Sequence, residues 1–256
     1  MRIEAIYIAP VKSLALCRVE RARVGPHGIA EDRRFFLVDA AGRVFTQREC
    51  GRLATVRATY DGARGRLRFE FPDGAACEGV AAAGEPLAGS FYGREFGGVL
   101  APGTWNDALS ALAGQPLRLV RASGTAFDAL PVSLCSAASV EEVRRRANGV
   151  AVDERRFRPN FYLSSAGPHG EDEWVGRRVR IGREAIVRVV MRDSRCVMTT
   201  LNPDTGRANM DTLKLIASYR TDQPNEVNFG VYGTVEREGD VSVGDEIVVM
   251  EEGEQS

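Results

Sequence analysis

Apolar residues recur at every second position in three segments near the start of the chain. The positions concerned are Ile6 and Ile8, then Phe35 and Leu37, then Leu67, Phe69 and Phe71. Successive side chains of a strand point to opposite faces, so this period predicts half-buried β-strands. Turn-forming pairs such as Gly25-Pro26 and Asp61-Gly62 separate the segments. The pattern therefore predicts an antiparallel β region.

Two later segments have a helical period instead. The first begins with Thr104 as its predicted N-cap, places its apolar side chains on one face, and ends at Gly114. The second has Ser139 and Glu142 at the spacing of a capping box and ends at Asn148-Gly149. Both are short enough to pack as single helices against a sheet.

From about residue 158 onward, strand-like runs return. Apolar or β-branched runs of strand length occupy residues 161–165, 177–182, 185–191, 197–201 and 245–250. Many short strands with few helices predict an α+β, mostly β fold, a curved antiparallel sheet or β-barrel with helices outside it. Small and polar residues cluster at 121–130, so we expect an N-terminal β-rich domain at 1–120 and a second domain at 121–256.

Composition narrows the class of protein. The 256 residues include 34 basic and 35 acidic side chains, a net charge of -1, which argues against a dedicated nucleic-acid binder. No run approaches the ~20 apolar residues of a membrane span, and no signal peptide is evident. Five cysteines without a C-x-x-C pair, and only two histidines, argue against a disulfide framework and a zinc site. We expect a reduced, cytoplasmic protein.

Cys196 is the cysteine most suited to chemistry. It follows the apolar run 185–191 and the polar segment Arg192-Asp193-Ser194-Arg195. Flanking cations at a partly exposed strand end favour a thiolate, which serves as a nucleophile or as a ligand for a soft metal. The cysteines with apolar or small neighbours, Cys17, Cys77 and Cys135, fit the commoner inert role.

A Cys–His hydrolase is one alternative. It would need a histidine within hydrogen-bond reach of the Cys196 sulfur. Only His27 and His169 are available, and both lie in Gly-Pro turns that suit a surface role.

Three short segments could bind an anion. Lys12-Ser13 follows the first strand, Arg33 precedes another, and Arg158 lies in Phe157-Arg158-Pro159-Asn160 before a third. Guanidinium and ammonium groups that converge on one point would suit a phosphate. Each segment taken singly suits a surface ion pair equally well.

The cysteine segment resembles a known family. Ser194–Thr200, followed by Pro203-Asp204-Thr205-Gly206, resembles the cysteine signature of MOSC domains, most closely the branch of the mitochondrial amidoxime-reducing component and its bacterial relatives. Further similarities follow in the same order over nearly the whole chain: Pro10–Ser13, Asp32-Arg33, Thr46-Gln47-Arg48, Arg52-Leu53, Phe157–Asn160, Glu171-Asp172 with Trp174, Leu213–Arg220, Phe229-Gly230 with Tyr232, and Val243-Gly244-Asp245.

The resemblance implies a molybdenum cofactor, a pyranopterin whose metal takes one protein cysteine, here Cys196, as a ligand. By position, the residues expected to hold the cofactor's phosphate are Lys12, Ser13 and Arg33, and those expected to line the pterin and metal are Arg158, Asn160, Ser194, Arg195 and Tyr232. The implied activity is reduction of N-hydroxylated small molecules, with electrons from a separate carrier protein. Two alternatives remain open: a persulfide sulfur carrier on Cys196, and a non-catalytic cofactor-binding or transfer protein.

Three features depart from the family pattern. Asp193 stands where a small residue or cysteine is frequent, and an extra carboxylate beside an anionic cofactor calls for a neutralising cation such as Arg192. The segment Asp128–Pro131 lacks the Thr-Ser pair of the mitochondrial proteins. The cysteines of the ferredoxin domain that some bacterial relatives carry are also missing.

Overall fold

The computed structural model describes residues 1–91, 94–124, 126–164, 167–220 and 226–251. Within them the chain is mostly β, as predicted. The strands are β1 (Ile3–Ile8), β2 (Cys17–Val19), β3 (Arg21–Gly25), β4 (Gly28–Ile29), β5 (Phe35–Asp39), β6 (Val44–Phe45), β7 (Arg57–Asp61), β8 (Arg66–Glu70), β9 (Ala76–Val80), β10 (Pro86–Phe91), β11 (Arg94–Leu100), β12 (Leu117–Ala122), β13 (Val132–Ser136), β14 (Phe161–Leu163), β15 (Arg178–Ile181), β16 (Ala185–Ser194), β17 (Asn228–Arg237), β18 (Gly239–Ser242) and β19 (Ile247–Val249). The helices are α1 (Thr104–Ala113), α2 (Ala137–Arg146) and α3 (Thr212–Ala217).

The largest sheet has the strand order β19-β15-β16-β17-β13-β14-β1-β2. Its neighbours are antiparallel except for the parallel pair β13–β14. The start of β1 returns toward β19 through an isolated bridge, Arg2–Glu246, and the Ile3 amide donates to the Asp245 carbonyl over 3.0 Å. The sheet therefore curls round a buried apolar interior, although no continuous ladder of the described strands closes it.

The pairing of β16 with β17 explains part of that curvature. Its register shifts three times, at Ile186/Val187, Val189/Met191 and Arg192/Ser194. Each irregularity bends a strand and increases its twist. The last shift lies where β16 ends, directly before Cys196.

Three smaller sheets complete the fold, with strand orders β10-β11-β12-β5-β6, β7-β8-β9 and β18-β3-β4. A second core, which contains Phe35, Phe69 and Trp105, lies among the first two of these sheets and α1. The strand β5 is buried at all five positions because Phe36 and Val38 pack into another apolar cluster on its other face. The predicted alternation of buried and exposed residues is therefore wrong for β5.

The pairing of the first strands bears on the expected boundary at residue 120. β1 and β2 belong to the sheet formed by strands after residue 131, and β3 pairs with β18. About the first thirty residues thus pack with the C-terminal half. The division at 120 stays a prediction.

Several local predictions differ from the structure. The helix α2 begins earlier than expected, because Ser136 is the N-cap and its hydroxyl accepts a hydrogen bond from the Ser139 amide. Glu142 pairs with Arg145 and Arg146 instead of completing a capping box. The first helix has Gly103 as N-cap without a side-chain bond, so Thr104 does not cap it.

The later strand predictions also need revision at two places. Residues 197–200 form a short 3-10 helix, not a strand, and β14 ends at Leu163, with Ser165 outside the described residues. The ten-residue strand β17 lies where no strand was predicted. No described helix has the length and apolar character needed to cross a bilayer.

Candidate functional site

A cavity of about 150 Å³ collects residues from distant parts of the chain. Its lining comprises Lys12, Ser13, Arg33, Thr46, Arg48, Asp128, Arg156, Phe157, Arg158, Asp193, Ser194, Arg195, Cys196, Met198, Thr199 and Tyr232. The predicted anion-binding segments thus converge, and they do so beside Cys196. Every predicted site residue lines this cavity except Asn160.

Two groups within this lining behave differently. We refer to Lys12, Ser13, Arg33 and Arg158 as the cation group, and to Asp193, Ser194, Arg195, Cys196 and Tyr232 as the thiol group.

The backbone of the cation group is strained. Ser13, Arg33 and Arg158 have φ values of 71°, 50° and 48°, in the left-handed region that residues with a Cβ rarely adopt. The surrounding hydrogen bonds hold two of them there: the Arg33 amide donates to the Ala9 carbonyl over 2.8 Å, and the Arg158 amide donates to the Arg155 carbonyl over 3.1 Å. Such strain collects where a structure must aim particular side chains.

A buried carboxylate holds Arg33 in place. Asp32 is fully buried, accepts hydrogen bonds from the Ala9 amide (2.7 Å) and the Asn160 side-chain amide (2.9 Å), and forms an ion pair with Arg33. The Asn160 carbonyl oxygen accepts from the Ser133 amide and hydroxyl, each over 3.1 Å. Asn160 therefore lies behind the cavity and acts on Arg33 through Asp32.

Lys12 is nearly buried and is paired with a carboxylate near the surface. Its ammonium lies 2.7 Å from Asp128 and 2.9 Å from the carbonyl of Ala126. Burial lowers the pKa of Lys12, an effect that the charge of Asp128 opposes. The Asp128 side chain is 61% exposed, so it can turn away without breaking the core.

Arg158 differs because it has no carboxylate partner among the described residues. Its guanidinium donates to the Leu14 carbonyl over 2.8 Å. Burial, together with repulsion by Arg33, lowers the pKa of Arg158 to about 10. A buried positive charge without a salt bridge is costly unless a ligand supplies the opposite charge. The positive charge of Arg158 therefore makes the cation group able to pair with an anion.

In the thiol group, by contrast, all three nitrogens of the Arg195 guanidinium already have partners within the protein. Arg195 donates to the carbonyls of Phe229 (2.7 Å) and Phe157 (2.6 Å), and it lies 2.7 Å from Asp193. The cation that faces Asp193 is thus Arg195, whereas the expected Arg192 lies 3.4 Å from Asp172. Arg195 links β16 to β17 and has little charge left for a ligand.

Asp193 is a buried carboxylate on the cavity wall. The residue is 2% exposed, and its Oδ2 lies 2.7 Å from the Arg195 guanidinium without forming a hydrogen bond to it. Burial raises the pKa of Asp193 to about 7, against the opposing effects of Arg195 and of a hydrogen bond from Tyr232. Near neutral pH this side chain therefore exchanges a proton readily.

Cys196 precedes a short turn that a buried arginine fixes. The residue is partly exposed and is the N-cap of the 3-10 helix Val197–Thr200. Arg156, only 3% exposed, donates to the carbonyls of Thr200 (3.2 Å) and Leu201 (3.0 Å) and to Asn209 (2.6 Å). With the Thr199 carbonyl (3.4 Å), four acceptors on one guanidinium hold the segment after Cys196 against the rest of the site.

Sequence reasoning missed this role of Arg156, as well as the positions of Thr46 and Arg48 in the lining. The run Arg155-Arg156 contains no signal that separates the two, although Arg155 pairs with exposed carboxylates at the surface. Thr46-Gln47-Arg48 did belong to the family resemblance, which is the signal that could have placed two of its residues at the site.

The remaining cysteines and histidines do not contribute to the cavity. Cys17 and Cys135 are buried. His169 lies 3.2 Å from the Tyr219 hydroxyl and accepts from Arg220 over 3.1 Å, and neither His169 nor His27 lines the cavity. The described residues contain no group of three or more His, Cys, Asp or Glu side chains placed to hold a metal ion. The hydrolase alternative thus lacks its base.

Comparison with known proteins identifies two domain families along the chain. The model of the MOSC domain matches residues 123–248, and that of the MOSC N-terminal beta barrel domain matches residues 1–89. A molybdenum cofactor sulfurase of Oryza sativa subsp. japonica is 25% identical over 270 residues, which cover 90% of this chain and 32% of that protein.

Two amidoxime-reducing proteins are also similar. Mitochondrial amidoxime-reducing component 1 of Mus musculus is 35% identical over 131 residues, 48% of this chain and 37% of that protein. The Xenopus laevis protein of the same name is 26% identical over 288 residues, 96% of this chain and 81% of that protein. The chain thus spans about a third of the length of the rice and mouse relatives.

Proposed function

Since the chain belongs to the MOSC domain family, we propose that it binds a molybdenum pterin cofactor in this cavity and reduces N-hydroxylated small molecules. Amidoximes, hydroxylamines and N-hydroxylated bases are the substrate class. The relatives named for molybdenum cofactor and for amidoxime reduction support the proposal.

One observation carries it: a thiol and an uncompensated cation line the same cavity. The cofactor combines a phosphate with a thiophilic metal, so it needs a positive site and a soft donor together. Arg158 has no carboxylate partner among the described residues, and Cys196 is partly exposed on the same wall. The donor set therefore suits the group.

The roles of the residues follow from their surroundings. Lys12, Ser13 and Arg33 would hold the phosphate, and Arg158 would neutralise the anionic cofactor. Cys196 would be the metal's protein ligand, held in place by the turn that Arg156 anchors. Ser194, Arg195 and Tyr232 would form the wall beside the pterin.

The bound cofactor would supply the two-electron chemistry at the N–O bond. The chain's own contribution is to orient the substrate, to keep charged groups in fixed positions and to supply protons. The overall change is cleavage of N–O with two electrons and two protons, which yields the N–H product and water. We propose that the electrons come from a separate carrier protein.

A second candidate is sulfur transfer through a persulfide on Cys196. The sulfurase of rice, similar over 90% of this chain, favours it. A mass increase of Cys196 by one sulfur atom after incubation with a small-molecule persulfide, which transfers its outer sulfur and leaves as a thiol, would support this alternative if it did not depend on molybdenum.

The test is reduction of benzamidoxime by protein loaded in a cofactor-competent host, with a chemically reduced viologen dye as electron donor. We expect benzamidine to form with the wild type and with Cys77→Ala, whose partly buried thiol lies in β9 away from the cavity. We expect no product with Cys196→Ala. Loaded wild-type protein that forms no benzamidine would overturn the reductase assignment.

A further inference from the structure

We propose that Asp193 is the acid that protonates the departing oxygen when the N–O bond breaks. This assignment rests on the reductase function proposed above. It concerns a residue that departs from the family pattern, so the family's chemistry does not supply it.

The first support is position. Asp193 and Cys196 line one cavity, and only two residues separate them along the chain. The last register shift of β16 falls at Arg192/Ser194, on either side of Asp193. That irregularity frees the strand from regular pairing at the point where the carboxyl group meets the cavity.

The second support is the incomplete pairing of its carboxyl group. Asp193 is 2% exposed, and its Oδ2 lies 2.7 Å from the Arg195 guanidinium without forming a hydrogen bond to it. Buried carboxylate oxygens are normally hydrogen-bonded, so this contact offsets the cost of a buried negative charge only in part. A carboxyl group that carries a proton fits these surroundings better than a carboxylate does.

The third support is the character of the other described residues of the lining. Guanidinium groups do not release protons in proteins. Lys12 is engaged by Asp128 and by the carbonyl of Ala126. The pKa of Tyr232 is raised by burial and by the charge of Asp193, which makes its phenol a poor acid. The carboxyl of Asp128 is 61% exposed, and, against the effect of burial, the charge of Lys12 lowers its pKa. Among the described lining residues, Asp193 is therefore the buried carboxyl.

The charges that face Asp193 set its proton affinity. Arg195, directly after the same strand, and Arg33 from the segment before β5 favour the carboxylate, as does the hydroxyl of Tyr232 on β17. Asp128, before β13, opposes it, and burial outweighs all of these. The pKa of about 7 places the group near the value at which an acid is most effective at neutral pH. An anionic cofactor in the cavity would raise that pKa further.

Cleavage of the N–O bond takes up two electrons, which the carrier protein would supply and the bound cofactor would deliver. Asp193 gives its proton to the oxygen, and a second proton from solvent completes the water and N–H products. The carboxylate that remains is stabilised by Arg195 and Tyr232 until solvent protonates it again.

The first measurement compares the pH profiles of loaded wild type, Asp193→Asn and Asp193→Glu on benzamidoxime. We expect wild-type turnover to fall as pH rises above the pKa of the acid. Asp193→Asn should lose about a hundredfold in turnover and lose that pH dependence, at an unchanged molybdenum content. Asp193→Glu, which retains an acid, should recover part of the rate and the pH dependence.

A second measurement does not depend on activity. Infrared spectra of folded wild-type protein below neutral pH should contain a protonated carboxylic acid band that Asp193→Asn lacks. Identical spectra in this region would overturn the assignment, and so would Asp193→Asn with wild-type turnover and an unchanged pH profile. Failure of the wild type to reduce benzamidoxime would instead overturn the proposed function, and this assignment with it.

Discussion

The cation group and the thiol group line one cavity but differ in how far their positive charges are paired within the protein. In the cation group, Arg33 is paired with the buried Asp32, Lys12 with a largely exposed carboxylate, and Arg158 with none among the described residues. In the thiol group, Arg195 is occupied by two carbonyls and by Asp193. Each group contains an arginine that is paired with a buried aspartate, Arg33 with Asp32 and Arg195 with Asp193, so residue type alone does not distinguish them.

This difference indicates that the two groups have different roles toward a ligand. A cation without a carboxylate partner in the protein can pair with an anionic ligand, whereas a guanidinium whose nitrogens all have partners mainly fixes geometry. We therefore expect the cation group to determine whether the ligand binds. The thiol group should determine which reaction takes place once the ligand is bound.

The largest effect should come from removing the carboxylate behind the cation group. Asp32→Ala leaves Arg33, the Asn160 side-chain amide and the Ala9 amide without their acceptor in a fully buried place. We expect a loss of about 3 to 5 kcal/mol in the free energy of unfolding, measured with urea. Asp240→Ala is the matched control, because its pair with Arg23 is 83% exposed on the aspartate side. Equal losses in the two variants would contradict the role of Asp32.

The thiol group predicts a dependence on pH. Burial raises the pKa of Asp193 from 3.8 to about 7, so ionised Asp193 costs the folded state up to about 4 kcal/mol. The contribution of protonated Asp193 to the free energy of unfolding is complete below pH 3.8 and is lost as pH rises through about 7. The stability of Asp193→Asn relative to wild type should therefore increase between these pH values, measured by urea unfolding of the unloaded protein. A difference that does not change with pH would contradict the raised pKa.

The comparison becomes sharper in ligand binding. Arg158→Ala removes the uncompensated cation and should weaken pyrophosphate binding to the unloaded protein by about ten- to a hundredfold, as for hydrogen bonds to a charged group. The measurement is isothermal titration calorimetry, with Arg145→Ala on the exposed face of α2 as control. Unchanged affinity in Arg158→Ala would assign anion binding to other residues.

The smallest effect concerns the competing carboxylate. Asp128 pairs with Lys12 from a position that is 61% exposed. Asp128→Asn removes an anion that a ligand must displace, so pyrophosphate affinity should rise severalfold, with a change in stability of less than about 1 kcal/mol. Weaker binding in this variant would mean that Asp128 positions Lys12 instead of competing for it.

The pattern of apolar residues along the sequence predicted those strands and helices whose form does not depend on tertiary contacts. β1, β8, α1 and β16 follow from the period of their apolar residues. The segment 197–200 resembles a strand in composition, but hydrogen bonds from Arg156 and capping by Cys196 fold its backbone into a turn. Such tertiary contacts are not visible along the sequence.

The same limit applies to the site. The motif positions of Lys12, Arg33, Arg158 and Cys196 predicted residues that the fold brings together. The placement of Asn160 behind Asp32 depends on contacts between β1, β13 and the segment before β14. The structure likewise shows that Arg195 pairs with Asp193 and that Arg192 lies near Asp172. The sequence could not distinguish these two arginines, because their directions depend on how β16 bends.

The most direct test of the account is the molybdenum and pterin content of protein made in a cofactor-competent host, for wild type and Cys196→Ala. We expect near-stoichiometric molybdenum and pterin in the wild type, and a sharp loss of molybdenum in a folded Cys196→Ala protein. Neither metal nor pterin in folded wild-type protein, or equal molybdenum in the two proteins, would contradict the assignment of this cavity to a molybdenum cofactor held by Cys196.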